Sequence, residues 1–201
     1  MRCGVDRERF ERQAAFILEA DKEKNILRQT LLSGHGRREN DAEHAWHMAI
    51  MIYLLKEYAN REIDVAKAMM MALIHDIVEI DAGDTYAYDT AGLATQKGRE
   101  EQAAERIFGL LPEDQKTELR ALFEEFEAGE TAEASFARAM DNFQPLLLNN
   151  SNEGGDWREH DVCRSQIMKR HKKTYLGSEV IGAYSEQLID ENVRKGNLRG
   201  D

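Results

Sequence analysis

Met70-Met71-Ala72-Leu73-Ile74-His75-Asp76-Ile77-Val78-Glu79 decides how this chain is read. Upstream, Asp64 stands where a helix N-cap belongs, and Val65, Ala68, Met69, Ala72 and Leu73 recur at spacings of three and four. That spacing predicts a helix capped at Asp64 and running to His75-Asp76. A nearly unbroken apolar helix therefore ends by setting an imidazole beside a carboxylate. Burying either group alone costs several kcal/mol unless it is paired, shifted in protonation or bound to a cation. A divalent metal resolves the conflict, because neutral imidazole and carboxylate both ligate first-row ions. Glu79 follows His75 by four residues and is expected on the same helical face. A helix-terminal histidine beside a capping aspartate accounts for the dipeptide equally well, so the pair decides nothing without its context.

Working outward, helical spacing dominates. A first helix is expected over Asp6 to Ala20, with Phe10, Ala14, Ile17 and Leu18 on one side. A short element, Lys24 to Leu32, leads into the loop Ser33-Gly34-His35-Gly36. Asn40 and Glu43 form a capping-box pair for a helix reaching about Tyr58. Its apolar residues Ala45, Met48, Ala49, Ile52 and Leu55 lie on several sides, which places it centrally in a bundle. Beyond the decisive stretch, Asp81 to Thr85 reads as a turn and Tyr86 to Lys97 as a long loop of the kind that often carries function. Helices follow over Gly98 to Leu111, from Pro112 to near Gly129, and over Thr131 to Asn149, the last carrying Asp141. Gly154-Gly155 opens a loop, and helices over about 159–173 and 178–195 complete the chain. With two prolines in 201 residues and a composition rich in helix formers, the expected fold is all-α, a compact helical bundle. No repeat or linker interrupts it, and the length suits a single domain over 1–201.

Composition also excludes. A formal charge of −11 opposes a polynucleotide partner, which needs Lys and Arg to displace counterions; a basic pocket for one small phosphate stays open. No stretch approaches the roughly 20 apolar residues of a membrane span, and Met1 to Arg7 contain no apolar signal core, so a cytoplasmic location is expected. Cys3 and Cys163 are far apart and form no metal-binding or disulfide pattern, which reads as two reduced thiols.

His44 lies on the central helix and Asp141 on another apolar one; each taken singly reads as a hydrogen-bonded core residue, but three such helices converging in one bundle would supply two imidazoles and two carboxylates. Such a set leaves coordination positions open for water and substrate, as a catalytic metal site requires. His47 reads as a partly buried polar contact. His35, His160 and His171 read as surface residues, and Trp46, Phe143 and the Met69-Met70-Met71 run as core.

These residues resemble the H…HD…D pattern of the HD-domain phosphohydrolase superfamily, and more closely its small branch of 5′-deoxynucleotidases. The resemblance runs from about Asn25 to Asp141, through Arg28, Arg38-Glu39-Asn40-Asp41-Ala42-Glu43-His44, His75-Asp76-Ile77-Val78-Glu79, Gly83-Asp84 and Asp141. It implies an HD-type bundle with His44, His75, Asp76 and Asp141 as ligands to a divalent ion (Mn, Co, Zn, Fe, Ni or Mg). Glu79 then positions or deprotonates the attacking water, Asp84 contacts the sugar or leaving-group side, and Arg28 grips the 5′-phosphate. Dinuclear members add histidines between the HD pair and the last aspartate. This chain has none there, which favours one metal ion. Where the branch carries a tryptophan beside the arginine, this chain has Gln29, which leaves the sugar preference open. The resemblance also implies a homodimer; the spacing of the C-terminal helices suits either closing it or packing on the domain itself.

The expected activity is hydrolysis of a small phosphorylated substrate, a nucleoside 5′-monophosphate. Two other readings keep the same metal site: hydrolysis of another small phosphate such as an alarmone or nucleoside triphosphate, and a metal-stabilised helical binding protein without turnover. Glu79 and Asp84 oppose the last, since a structural site needs neither. Tyr86 and Tyr88 are the aromatics expected nearest to substrate.

Overall fold

Side-chain caps set where the first helices begin. In this computed structural model, which describes residues 6–87 and 90–201, Asp6 accepts from the N–H of Arg9 and starts α1 (Arg7–Ala20). A 3-10 turn (Asp21–Asn25) leads to a hairpin of β1 (Leu27–Leu31) and β2 (Arg38–Asn40). The strands are antiparallel, with Leu27 opposite Asn40, Leu31 opposite Arg38 and an irregularity between them. Asn40 and Glu43 close the expected capping box on α2 (Asp41–Leu55). Asp64 caps α3 (Val65–Ile74) through the N–H of Lys67. Then come α4 (Glu79–Ala82), α5 (Thr90–Phe108), α6 (Glu113–Ala128) and α7 (Ala132–Ser151), the last capped by Thr131. The chain finishes with α8 (Gly155–Glu159), α9 (Arg164–His171), α10 (Thr174–Gly177) and α11 (Glu179–Lys195).

The fold is mostly helical, as expected, with the one small sheet added. Helices α2, α3 and α7 pack together at its centre, where Met48, Ile52, Met71, Phe136 and Met140 are fully buried. A second cluster, built on Ile77, Ile107, Phe108 and Phe123, joins α5 and α6 to the end of α3. Among the described residues no helix is long and apolar enough to cross a membrane.

Several local expectations are corrected. The Lys24 to Leu32 element is a turn plus a strand, not one unit. Helix α1 does not pack through Phe10, Ile17 and Leu18, which are exposed. Its polar side docks instead: Arg9 pairs with Asp114 (2.7 Å), Arg12 donates to the carbonyls of Gly109 and Leu110, and Gln13 bonds Gln115. Phe16 then stacks on Phe108. Trp46 (61% exposed) and Met70 (41%) point outward, while Phe143 and Met71 are core. Helix α2 is covered on one side only, so Trp46, Ile50, Tyr53 and Leu54 remain on its outer face. The Tyr86 to Lys97 loop is shorter than expected, because α5 begins at Thr90 and absorbs Gly92 and Gly98; Tyr88 lies outside the described residues. His171 is buried, with Nε2 3.0 Å from the carbonyl of Gly182. The helix expected over about 159–173 is shorter: α9 covers Arg164–His171, and Glu159 is the last residue of α8.

Gly177 marks a tight seam. A Cβ there would sit 2.2 Å from the carbonyl oxygen of Ser135 and 2.9 Å from Cβ of Ala139, so α10 seats directly on the backbone of α7. Gly177→Ala is expected to destabilise by about 1–3 kcal/mol, the range for overpacking. At about 2–4 °C per kcal/mol for a domain of this size, thermal denaturation followed by circular dichroism resolves the loss. An unchanged midpoint contradicts the close seating.

Candidate active site

Three backbone features bring the site together. The hairpin turns Arg28 and Glu39 inward, against the first turn of α2, which presents Asp41 and His44; Glu39, Asp41 and His44 are all buried. Helix α3 stops at Ile74, and the chain continues in tightened turns, with Ile77 N–H to Ile74 O (3.3 Å) and Glu79 N–H to Asp76 O (2.8 Å). This i→i+3 winding regroups the motif. Glu79 does not share the His75 face as the helical spacing predicts, but gathers with Asp76 and Asp41. On α7, Asp141 and Gln144 face the same space. Pro145 follows within the helix; having no N–H, it leaves the carbonyl of Asp141 without its usual helical donor.

Four of the expected residues converge closely. His44 Nε2 lies 3.3 Å from Asp141 Oδ1 and 4.0 Å from Asp76 Oδ2. His75 Nε2 lies 3.1 Å from Asp76 Oδ2 and 3.9 Å from Asp141 Oδ1. Hydrogen bonds on the far nitrogens fix both rings. His44 Nδ1 meets Gln144 Oε1 at 3.0 Å, and that amide donates to Glu39 Oε1 at 2.6 Å. An amide oxygen only accepts, so this network assigns the His44 proton to Nδ1 and turns the lone pair of Nε2 toward the carboxylates. His75 Nδ1 donates to the carbonyl of Ala72 (2.8 Å), which aims its Nε2 at the same point. Among the described residues that buried Nε2 has Asp76 Oδ2 as an ion-pair neighbour at 3.1 Å but no aligned hydrogen bond, and Glu79 Oε2 and Asp41 Oδ2 are likewise buried without a hydrogen-bond partner. Two imidazole nitrogens and two carboxylates facing one point fit a divalent first-row metal ion, which would satisfy that nitrogen. A second group, Asp41, Asp76 and Glu79, offers oxygen donors only. The Arg28 guanidinium lies against that group, with Nη1 2.6 Å from Asp76 Oδ2 and 3.2 Å from Asp41 Oδ1.

Electrostatics follow from this crowding. Burial, reinforced by Arg28, pushes the His44 imidazole down to about 4. His75 goes the other way: burial opposes its charge, but the Asp76 carboxylate overrides this and carries it up to about 9. Asp76 is held well below the usual carboxylate range, because His75 and Arg28 outweigh its burial. Asp141 is held low likewise, by the His44 contact and Arg170 against burial. Burial and the charges of Asp76 and Asp41 push Glu79 up to about 11. The proton on His75 thus does, in the metal-free protein, part of what a cation would do.

Asp84 and Tyr86 line the same cavity of about 710 Å³, together with Arg28 and Asp76. Gly83 takes a positive φ of 74° just before Asp84, and burial raises the Asp84 carboxyl. Tyr86 donates to Asp156 Oδ2 at 3.2 Å. His47 is half-buried and lies 3.2 Å from Gln144 Nε2. Sequence reasoning did not single out Glu39, Asp41, Gln144 or Arg170. Glu39 and Asp41 stood inside the quoted motif, and Gln144 follows Asp141 by three residues on one helix face. Arg170 carried no local signal; it reaches Asp141 Oδ2 (3.4 Å) from a helix distant in sequence.

With this geometry in hand, comparison with known proteins is informative. The HD domain model matches residues 20–180. The chain belongs to the HD-domain family. A structure from Magnetospirillum magnetotacticum, described as a predicted metal-dependent phosphohydrolase, is 50% identical to this HD-domain chain. It superposes with a TM-score of 0.92 over 96% of this chain and 97% of that one. Human 5′-deoxynucleotidase HDDC2 is 33% identical over 111 residues, 55% of this chain and 53% of the human protein. The zebrafish (Danio rerio) 5′-deoxynucleotidase HDDC2 is 28% identical, covering 69% of this chain and 70% of its own. The chain spans about half the length of the human and bovine relatives it matches.

A metal ion entering the His44–His75–Asp141 group must displace the proton held by His75. Below about pH 9 metal affinity is therefore expected to rise with pH, by about tenfold per unit for one displaced proton. Calorimetric titration with Mn²⁺ in buffers of different ionisation enthalpy measures the protons released. Affinity independent of pH, with no proton release, contradicts this account of the site.

Proposed function

We propose that this HD-domain protein is a metal-dependent phosphohydrolase acting on nucleoside 5′-monophosphates, with His44, His75, Asp76 and Asp141 holding the ion. The observation that carries the proposal is the convergence of His75 Nε2 with His44, Asp76 and Asp141, a group in which His75, Asp76 and Asp141 border an open cavity. An enclosed site would suit a structural metal. A site bordering a cavity has room for water and a substrate. The 5′-deoxynucleotidase names of the human and zebrafish relatives support the substrate class.

A divalent ion held by His44, His75, Asp76 and Asp141 would supply Lewis acidity, which in favourable sites makes a water acidic to a pKa of about 7. Glu79 would orient the attacking water and accept its proton. Its carboxyl keeps a proton in the metal-free site, so it becomes a base only when a cation beside it draws the pKa down. Arg28 uses Nη1 to hold Asp76 and Asp41. Its Nη2 makes no hydrogen bond among the described residues and is available to a phosphate oxygen. Asp84, whose carboxyl is raised by burial, faces the leaving 5′-oxygen as proton donor. Gln29 borders the cavity and is held by Arg38, which donates to its side-chain and main-chain oxygens at 2.6 and 2.7 Å. Sugar selectivity in this reading rests on that fixed amide. The reading includes a cytoplasmic homodimer; the exposed Trp46, Ile50, Tyr53 and Leu54 on α2 are consistent with a covered face.

The test is phosphate release from a panel of ribo- and deoxyribonucleoside 5′-monophosphates by chelated protein, with and without Mn, Co, Zn and Mg. Metal-restored release is expected, absent in Asp76→Ala. Glu79→Gln is expected to lower kcat by about 10²–10⁴, the range for a general base, with metal still bound. Silence across the panel from metal-loaded protein contradicts the substrate assignment.

A further inference from the structure

The Asp141 carboxylate has two oxygens, and the site uses only one of them toward the imidazoles. Oδ1 faces His44 and His75, while Oδ2 points away to Arg170 Nη2 at 3.4 Å. Arg170 is anchored elsewhere: its Nε donates to Asn142 Oδ1 at 2.7 Å, much the stronger contact of the two. Nη1 makes no hydrogen bond among the described residues. The side chain is 39% exposed and borders the same cavity as Arg28. The two guanidiniums belong to different elements, Arg28 to the hairpin and Arg170 to α9. Both act electrostatically on Asp84, which ties them to one region of the cavity.

We propose that Arg170 is a second phosphate-binding arm of this site, donating to the phosphoryl oxygens of the substrate from α9 while Arg28 donates from the hairpin. The inference rests on the phosphohydrolase reading and deepens it. Arg28 commits Nη1 to Asp76 and Asp41, so it meets the ligand through Nη2, from the hairpin side alone. A phosphoryl group has three non-bridging oxygens, and their charge is stabilised by fixed donors on more than one side. Arg170 meets that need: a firm anchor at Nε, one long and weak contact to Asp141, and terminal N–H groups next to open space. A residue placed only to brace Asp141 would make its short contact there, not to Asn142.

The experiment measures binding of inorganic phosphate to the Mn²⁺-loaded protein by calorimetry, for the wild type, Arg170→Gln and Arg170→Lys. Arg164→Gln, at an exposed pair with Asp190, controls for net charge. Arg170→Gln is expected to weaken phosphate binding by about 10–100-fold, the scale of lost charge-assisted hydrogen bonds. Mn²⁺ affinity should be unchanged, Arg170→Lys intermediate and Arg164→Gln near wild type. With a nucleoside monophosphate as substrate, the loss should appear in KM at least as much as in kcat. Unchanged phosphate affinity in Arg170→Gln overturns the proposal, and reduced Mn²⁺ affinity in its place would assign Arg170 to bracing Asp141. No phosphate binding by the wild type overturns it as well. Phosphate binding that depends on Arg170, in a protein that releases phosphate from no nucleotide, keeps the arm and rejects the nucleotidase reading.

Discussion

Glu23, Glu39, Asp41 and Glu79 are buried carboxyl groups, gathered with Asp76, Asp84 and Asp141 around two buried histidines. Among the described residues the largely buried guanidinium of Arg28 is the one fixed positive charge at their centre, and Arg170 reaches them only from the rim. Such a concentration of negative charge cannot leave water unless protons or cations join it. The metal-free protein answers with protons: burial holds Glu23 up to about 8 and Glu39 and Asp41 up to about 7. The arrangement of the fold follows from this constraint. The hairpin exists to carry Arg28 inward, the break after α3 turns Asp76 and Glu79 toward it, and Gln144 ties His44 to Glu39.

Much of this was legible in the sequence, for physical reasons that differ by element. Asn40 and Asp64 announced their helices because capping is local chemistry, readable from one turn of chain. The HD pair at the end of an apolar helix signalled a buried charge, because its helical neighbours are all apolar. Asp141 was legible in the same way. The hairpin was missed because Leu27-Arg28-Gln29-Thr30-Leu31 shows no apolar–polar alternation, five residues also fit a helical turn, and the strand is defined by its partner. Helix α1 was turned the wrong way because three outward apolar residues outnumber the single Phe16, while polar contacts to the α5–α6 corner decide its rotation. The helix expected from Gly98 begins earlier, at Thr90, because α5 accommodates Gly92 and Gly98 within it. His171 and Arg170 could not be read locally, as their partners lie on other elements.

The same constraint links structure to chemistry. Each imidazole is locked from behind, by Gln144 or by the Ala72 carbonyl, so the nitrogen facing the cluster is oriented before any ion arrives. Pre-set donors of this kind lose little entropy on binding. The carboxylates divide between roles by environment alone: Asp76 and Asp141, beside imidazole and guanidinium, stay ionised, while Glu79, among like charges, holds its proton. Separation of pKa values within one site is how acid and base functions are assigned to chemically similar groups.

The central claim is that a divalent ion occupies the point toward which His44 Nε2 and His75 Nε2 converge. Anomalous diffraction from a crystal grown with Mn²⁺, recorded with and without chelator, tests it most directly. The account predicts a peak about 2 Å from both Nε2 atoms and bonded to Asp76 and Asp141, lost on chelation. Absence of density there, with both rings unmoved and ions bound elsewhere, would contradict it.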